Sequence, residues 1–118
     1  MDIRNKILIY LYSERIKSGL IIAFKLISRV DTLKGEERLG AEKLLISYLA
    51  ALLAEIRIAE NVEDSQNFRK AEKKVEEAEA KVYLSETSAV MRCLSEALTA
   101  ITTSAQAAIE TLEKENLL

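Results

Sequence analysis

The first thirty residues repeat apolar side chains at intervals of three, four and seven, which predicts a helix over residues 3–30. The repeating positions are Ile3, Ile7, Tyr10 or Leu11, Leu20, Phe24 and Ile27. Further apolar residues fall on other sides of the same helix, namely Leu8, Ile9, Tyr12, Ile21, Ile22 and Leu26. A helix that is apolar on more than one side is expected to be buried on more than one side.

A second helix is predicted over residues 34–61 by a stricter repeat of four and three. The repeat consists of Leu45, Leu49, Leu52, Ile56 and Ala59. Such a repeat is typical of the seam between packed helices. The segment 31–35 before it has the composition of a turn, and we expect Asp31 or Thr32 to cap the helix that follows.

The latter half of the chain contains two apolar repeats that are out of phase with each other. The first predicts a helix over 65–84, with Asp64 or Ser65 as its cap, and the second predicts a helix over 87–115. No glycine or proline separates the two segments. They are therefore either two helices with a turn between them or one continuous helix whose buried face rotates.

The whole pattern predicts an all-α fold, an antiparallel bundle of three to four long helices in a single domain over residues 1–118. The chain contains no proline and three glycines, whereas a β-rich protein of this length needs many turns. A length of 118 residues is sufficient for a modest core. We expect the bundle to be completed or extended by dimerisation.

The expected dimer follows from the surplus of apolar residues on the first helix. A small monomeric bundle leaves one side of each helix in water, and this helix has more apolar surface than one buried side accounts for. We expect a homo-oligomer, most simply a dimer, buried through the first and last helices. The expected contact residues on the first helix are Leu8, Tyr12, Leu20, Ile21, Phe24 and Ile27.

The charges are unevenly distributed although the net charge is only −2. Residues 1–34 carry seven basic and three acidic residues, giving +4, and the remainder carries ten basic and sixteen acidic residues, giving −6. We interpret this as a basic helix packed beside an acidic one. The alternative is weak binding of nucleic acid or of another acidic partner through the first helix, but the net charge makes nucleic acid an unfavoured partner.

The residue types needed for common enzyme chemistry are missing. There is no histidine, one cysteine, and neither a P-loop nor a dinucleotide-binding glycine motif. We therefore expect a non-enzymatic interaction or scaffold protein without a cofactor. The lone Cys93, expected to be a small buried apolar residue, favours a reducing, cytoplasmic setting. No membrane span is expected, and the composition rich in Lys and Glu is typical of heat-adapted organisms.

Carboxylates offer the one alternative chemistry. Glu60 and Glu63 are three residues apart, and Glu76 and Glu79 repeat that spacing on the next helix. Paired carboxylates on adjacent helices can hold Mg²⁺ against nucleotide phosphates. In these few residues the chain resembles the all-helical nucleotide pyrophosphatases, but it lacks their accompanying Lys, Arg and Asn pattern. The resemblance implies a carboxylate-Mg²⁺ nucleotide phosphohydrolase as the alternative function.

Overall fold

The computed structural model describes residues 3–117 as four α-helices joined by short turns, and this part of the chain contains no strand. The all-α fold is thereby confirmed, as is the alternative with four helices rather than three. Met1, Asp2 and Leu118 of the expected domain lie outside the described residues. The helices are α1 (Ile3–Val30), α2 (Gly35–Glu60), α3 (Gln66–Tyr83) and α4 (Thr87–Lys114).

Consecutive helices run in opposite directions. Lys6 near the start of α1 pairs with Glu63 just after α2, and Tyr48 in the middle of α2 contacts Gly19 in the middle of α1. Each helix packs against two neighbours, in the cyclic order α1, α2, α3, α4 and back to α1. The result is an elongated body of 54 × 21 × 17 Å whose length follows the helix axes.

The break between α3 and α4 arises without glycine or proline. Ser85 adopts a left-handed conformation with φ of 55°, and the backbone amide of Glu86 donates a hydrogen bond to the carbonyl of Lys81. A continuous helix over this region, the other interpretation of the sequence, is therefore wrong. The turn is stabilised by a residue of α2, because the Ser85 hydroxyl donates a hydrogen bond to the carboxylate of Glu42 at 2.7 Å.

The helix caps agree only in part with the sequence pattern. Ser65 caps α3 as expected, with its hydroxyl accepting a hydrogen bond from the Phe68 amide at 3.4 Å. The expected cap of α2 is wrong, because Lys34 occupies that position and makes no side-chain capping bond. The Asp31 carboxylate instead accepts a hydrogen bond from Thr87, so it ties the start of α4 to the end of α1.

Buried apolar residues from all four helices form one continuous cluster along the bundle axis. The expected repeat of α2 lies within it, from Leu45 to Ala59. The core residues of α3 and α4 are smaller on average than those of α1 and α2, and many of them are alanine. Small side chains allow α3 and α4 to pack closely against each other. Three polar residues are also buried in the described part of the chain, namely Ser13, Glu42 and Ser104.

Candidate functional site

Large apolar side chains at the surface are concentrated on α1 and α2. In the described part of the chain eleven large apolar residues are exposed, and eight of them belong to these two helices. Those eight are Ile7, Leu11, Ile21, Ile22, Leu26, Leu39, Leu44 and Ile58. By contrast, the exposed surfaces of α3 and α4 are formed mainly by charged residues, threonine, serine and glutamine.

Five of these eight residues lie in two rows, one on each helix. On α2 the row combines large and small side chains at intervals of three and four, and on α1 it has intervals of seven and four. We call the surface formed by these two rows the α1–α2 face. It consists of Leu11, Ser18, Ile22, Leu26, Leu44, Ser47, Ala51, Ala54 and Ile58, all of them exposed.

Two shallow grooves run between the helices along this face. The first, of about 290 Å³, lies at the end where the α1–α2 turn is found, and its lining includes Leu26, Leu33 and Leu44. The second, of about 280 Å³, lies near the middle, where Ser18, Ile22 and Ala51 meet. Because each groove has walls from both helices, the two rows form one continuous surface.

A polar pair interrupts the face one helical turn from its Leu11–Ile58 end. The Arg15 guanidinium donates to the Glu55 carboxylate at 2.6 Å, which joins α1 to α2 and leaves the pair without net charge. Leu11 lies one helical turn before Arg15, and Ile58 lies one turn after Glu55. Since the helices are antiparallel, Leu11 and Ile58 are neighbours at the end of the face opposite the Leu26 groove.

The close approach of α1 and α2 below the face depends on Gly19. The Tyr48 hydroxyl donates to the Gly19 carbonyl at 3.1 Å, and a Cβ at Gly19 would lie 2.7 Å from a methyl group of Leu52. Burial raises the pKa of the Tyr48 phenol above its ordinary value. The phenol therefore stays neutral and holds the two helices together beneath the central groove.

The six contact residues expected on α1 divide into three groups. Leu20 and Ile27 are 0% and 2% exposed and lie in the core of the single chain. They are therefore not accessible to a second molecule, and the expectation that they are contact residues is wrong. Ile21 is exposed at 39% and remains accessible. The other three, Leu8, Tyr12 and Phe24, are half-buried along the edges of α1.

No protein family, curated protein or solved structure matches this chain.

The four candidate metal-binding glutamates divide into two groups, since Glu63 pairs with α1 whereas the other three lie around Arg57. Glu63 pairs with Lys6 of α1 at 3.0 Å. Glu76 is exposed, and it lines a shallow depression together with Glu79 and Arg57. Among residues 3–117, no group of three or more Asp, Glu, Cys or His side chains is arranged to hold a metal ion.

The remaining candidate, Glu60, belongs to a small carboxylate cluster at the end of α2. One of its carboxylate oxygens is buried without a hydrogen-bond partner. Burial and the neighbouring Glu72 raise the pKa of Glu60. The pKa of Glu72 is lowered, because Arg57 donates to it at 2.7 Å. The Arg57 guanidinium is thus the countercharge of this carboxylate cluster.

Cys93 is buried, as expected, at 5% exposure. Its sulfur lies 3.6 Å from the Glu77 carboxylate. Burial and the charge of Glu77 raise the pKa of the thiol, so the thiol form predominates at neutral pH. The environment of Cys93 is therefore the opposite of one that activates a nucleophile.

Several basic residues of α1 are paired with acidic residues. Lys6 and Arg15 form ion pairs with α2 or the turn after it, and Lys17 lies 3.9 Å from Glu14 on its own helix. This pairing agrees with the interpretation of a basic helix packed beside an acidic one.

Among residues 3–117, no helix has both the length and the apolar character needed to cross a membrane.

The contribution of α2 is what the sequence analysis missed. The core repeat from Leu45 to Ala59 was predicted, but the opposite side of the helix was not. A second repeat, with intervals of three and four, is present there, and its members are Leu44, Ser47, Ala51, Ala54 and Ile58. Its small members concealed it, because alanine and serine occur on solvated helix surfaces as often as at contacts.

Proposed function

We propose that this chain is a non-enzymatic helical interaction protein that self-associates, most simply as a homodimer. The observation that carries the proposal is the asymmetry of the bundle surface, since eight of eleven exposed large apolar residues lie on α1 and α2. Apolar surface that is gathered on one side of a small protein, and not scattered singly, favours an interaction site. A scaffold role follows from it, because a long rigid bundle that pairs with another presents its remaining faces in a defined orientation.

The acidic residues give the phosphohydrolase alternative no comparable support. That activity requires Glu60, Glu63, Glu76 and Glu79 to converge on one metal ion. Glu63 instead pairs with Lys6, and the partners of Glu60 are Glu72 and the arginine that binds it. The alternative of an acidic partner for α1 is weakened in the same way, since cations of α1 already face acidic residues of this chain.

Sedimentation velocity of the full chain tests the proposal directly. The monomer mass is 13.2 kDa, so a dimer sediments as a species of about 26 kDa. We expect this species at micromolar concentration, with the monomer recovered on dilution. A single monomeric species across the range from 1 µM to about 100 µM would refute self-association, because a standard-size interface gives tighter binding than that.

A further inference from the structure

We infer that the α1–α2 face binds the α1–α2 face of a second copy in an antiparallel arrangement, so that Ile58 of each copy packs against Leu44 of the other. This inference rests on the proposed self-association and adds the surface, the partner and the relative direction. In this arrangement α1 lies on α1 of the second copy and α2 lies on α2. The twofold axis passes close to Ser18 and Ala51.

The area of the face matches what a stable dimer needs. Its five large apolar residues are exposed by 37–74%. Taking about 200 Å² for a fully exposed leucine or isoleucine, together they present roughly 500 Å² of apolar surface. A standard interface buries about 800 Å² per partner, and about 65% of it is apolar in homodimers, which is again roughly 500 Å².

The α2 row sets the register of the antiparallel pair. Large side chains lie at both of its ends, Ile58 exposed at 50% at one end and Leu44 exposed at 74% beside the groove at the other. Only small residues occupy the row between these ends. Reversing one copy places Ile58 of each copy beside Leu44 of the other and opposes the small residues in the middle.

The charges around the face favour the same direction. Lys25, Arg29 and Lys43 are exposed and lie near the Leu26 and Leu44 end. A parallel pair would bring the two basic ends together, with like charges opposed across the interface. The antiparallel pair separates them by the length of the face. The Arg15–Glu55 pair, one turn from the Leu11 and Ile58 end, is neutral within each chain, so no unpaired charge is buried there.

Paired charge substitutions in the full chain test the inference. Ile58→Glu and Leu44→Lys each introduce a charge at an exposed position, so both variants are expected to keep the helical circular dichroism signal. Each is expected to weaken the dimer by about tenfold or more in sedimentation velocity. Leu84→Glu is the matched control. Leu84 is a leucine exposed at 63% in the α3–α4 turn, away from the face, and its substitution is expected to leave the dimer unchanged.

An equimolar mixture of the Ile58→Glu and Leu44→Lys chains tests the direction. In the antiparallel heterodimer the introduced carboxylate faces the introduced ammonium, and the second contact keeps its native isoleucine and leucine. We therefore expect the mixture to recover a dimer that neither chain forms alone. A parallel pair places neither introduced charge opposite the other, so it gives no recovery.

The possible failures are distinguishable. A monomeric wild-type chain overturns both the inference and the proposed self-association, and leaves the face to a different partner or to none. If both single-substitution variants still form the dimer, self-association is retained but the α1–α2 face is not its interface. Dimers that are lost in the single variants and not recovered in the mixture refute the antiparallel direction alone.

Discussion

Replacing Ser13 with alanine should stabilise the protein. Ser13 is fully buried on the core side of α1, between Ile9 and Ile16, and its hydroxyl oxygen has no hydrogen-bond partner. A buried polar group left without a partner costs about 1–3 kcal/mol, and the methyl side chain of alanine removes that cost. Alanine is also the better helix former by a few tenths of a kcal/mol. We expect the free energy of unfolding to rise by about 1–3 kcal/mol.

The assay is urea denaturation followed by circular dichroism at one fixed protein concentration, because self-association makes apparent stability depend on concentration. The denaturation midpoint should rise while the slope of the unfolding free energy with urea stays constant. Ser28→Ala is the control on the same helix. Ser28 is exposed, its hydroxyl donates to the Phe24 carbonyl at 2.9 Å, and its replacement should change stability by less than about 0.5 kcal/mol. If the Ser13→Ala variant is equally stable or less stable, the Ser13 hydroxyl forms a hydrogen bond in the folded protein, and the expected stabilisation is refuted.

Three further predictions concern single residues. Gly40→Ala should raise the free energy of unfolding by up to about 1 kcal/mol in thermal or urea denaturation, because Gly40 lies within α2 and a Cβ there meets nothing within 4 Å. Glu42→Ala should lower it by about 1–3 kcal/mol, because the buried carboxylate accepts from both Arg38 and Ser85; an unchanged midpoint would contradict this. Glu60→Gln should stabilise the protein at pH 7, because the raised pKa of Glu60 means that folding disfavours its ionised form. That gain should shrink as the pH falls through the raised pKa of Glu60 and vanish below the ordinary value of 4.5, where the carboxyl is protonated in both states; a gain independent of pH would contradict the assignment.

The helices themselves were predictable because local chemistry dictates them. Each observed helix end lies within one residue of its expected position, and the core repeat of α2 is buried as its spacing indicates. The turn between α3 and α4 was harder to predict, because Ser85 adopts a positive φ without being glycine. Its support comes from Glu42, forty-three residues earlier, and no local pattern reports such a contact.

Only part of the candidate site could be predicted from the sequence, for a related reason. The surplus of apolar residues on α1 was visible in the sequence, but which of these residues would be exposed was not. Leu20 and Ile21 are adjacent and equally apolar, yet one is 0% exposed and the other 39%. The positions of the two neighbouring helices decide which of them is covered.

Local patterns were enough to establish that the chain forms helices, their approximate bounds, and which residues share a stripe along each helix, because helical periodicity acts over a few residues. The division between α3 and α4 needed the contact with Glu42. Which stripes are covered by the same chain and which stay open depended on the packed structure, which brought the apolar surface together on α1 and α2. Burial depends on what packs on each side of a helix, and those neighbours come from distant parts of the chain.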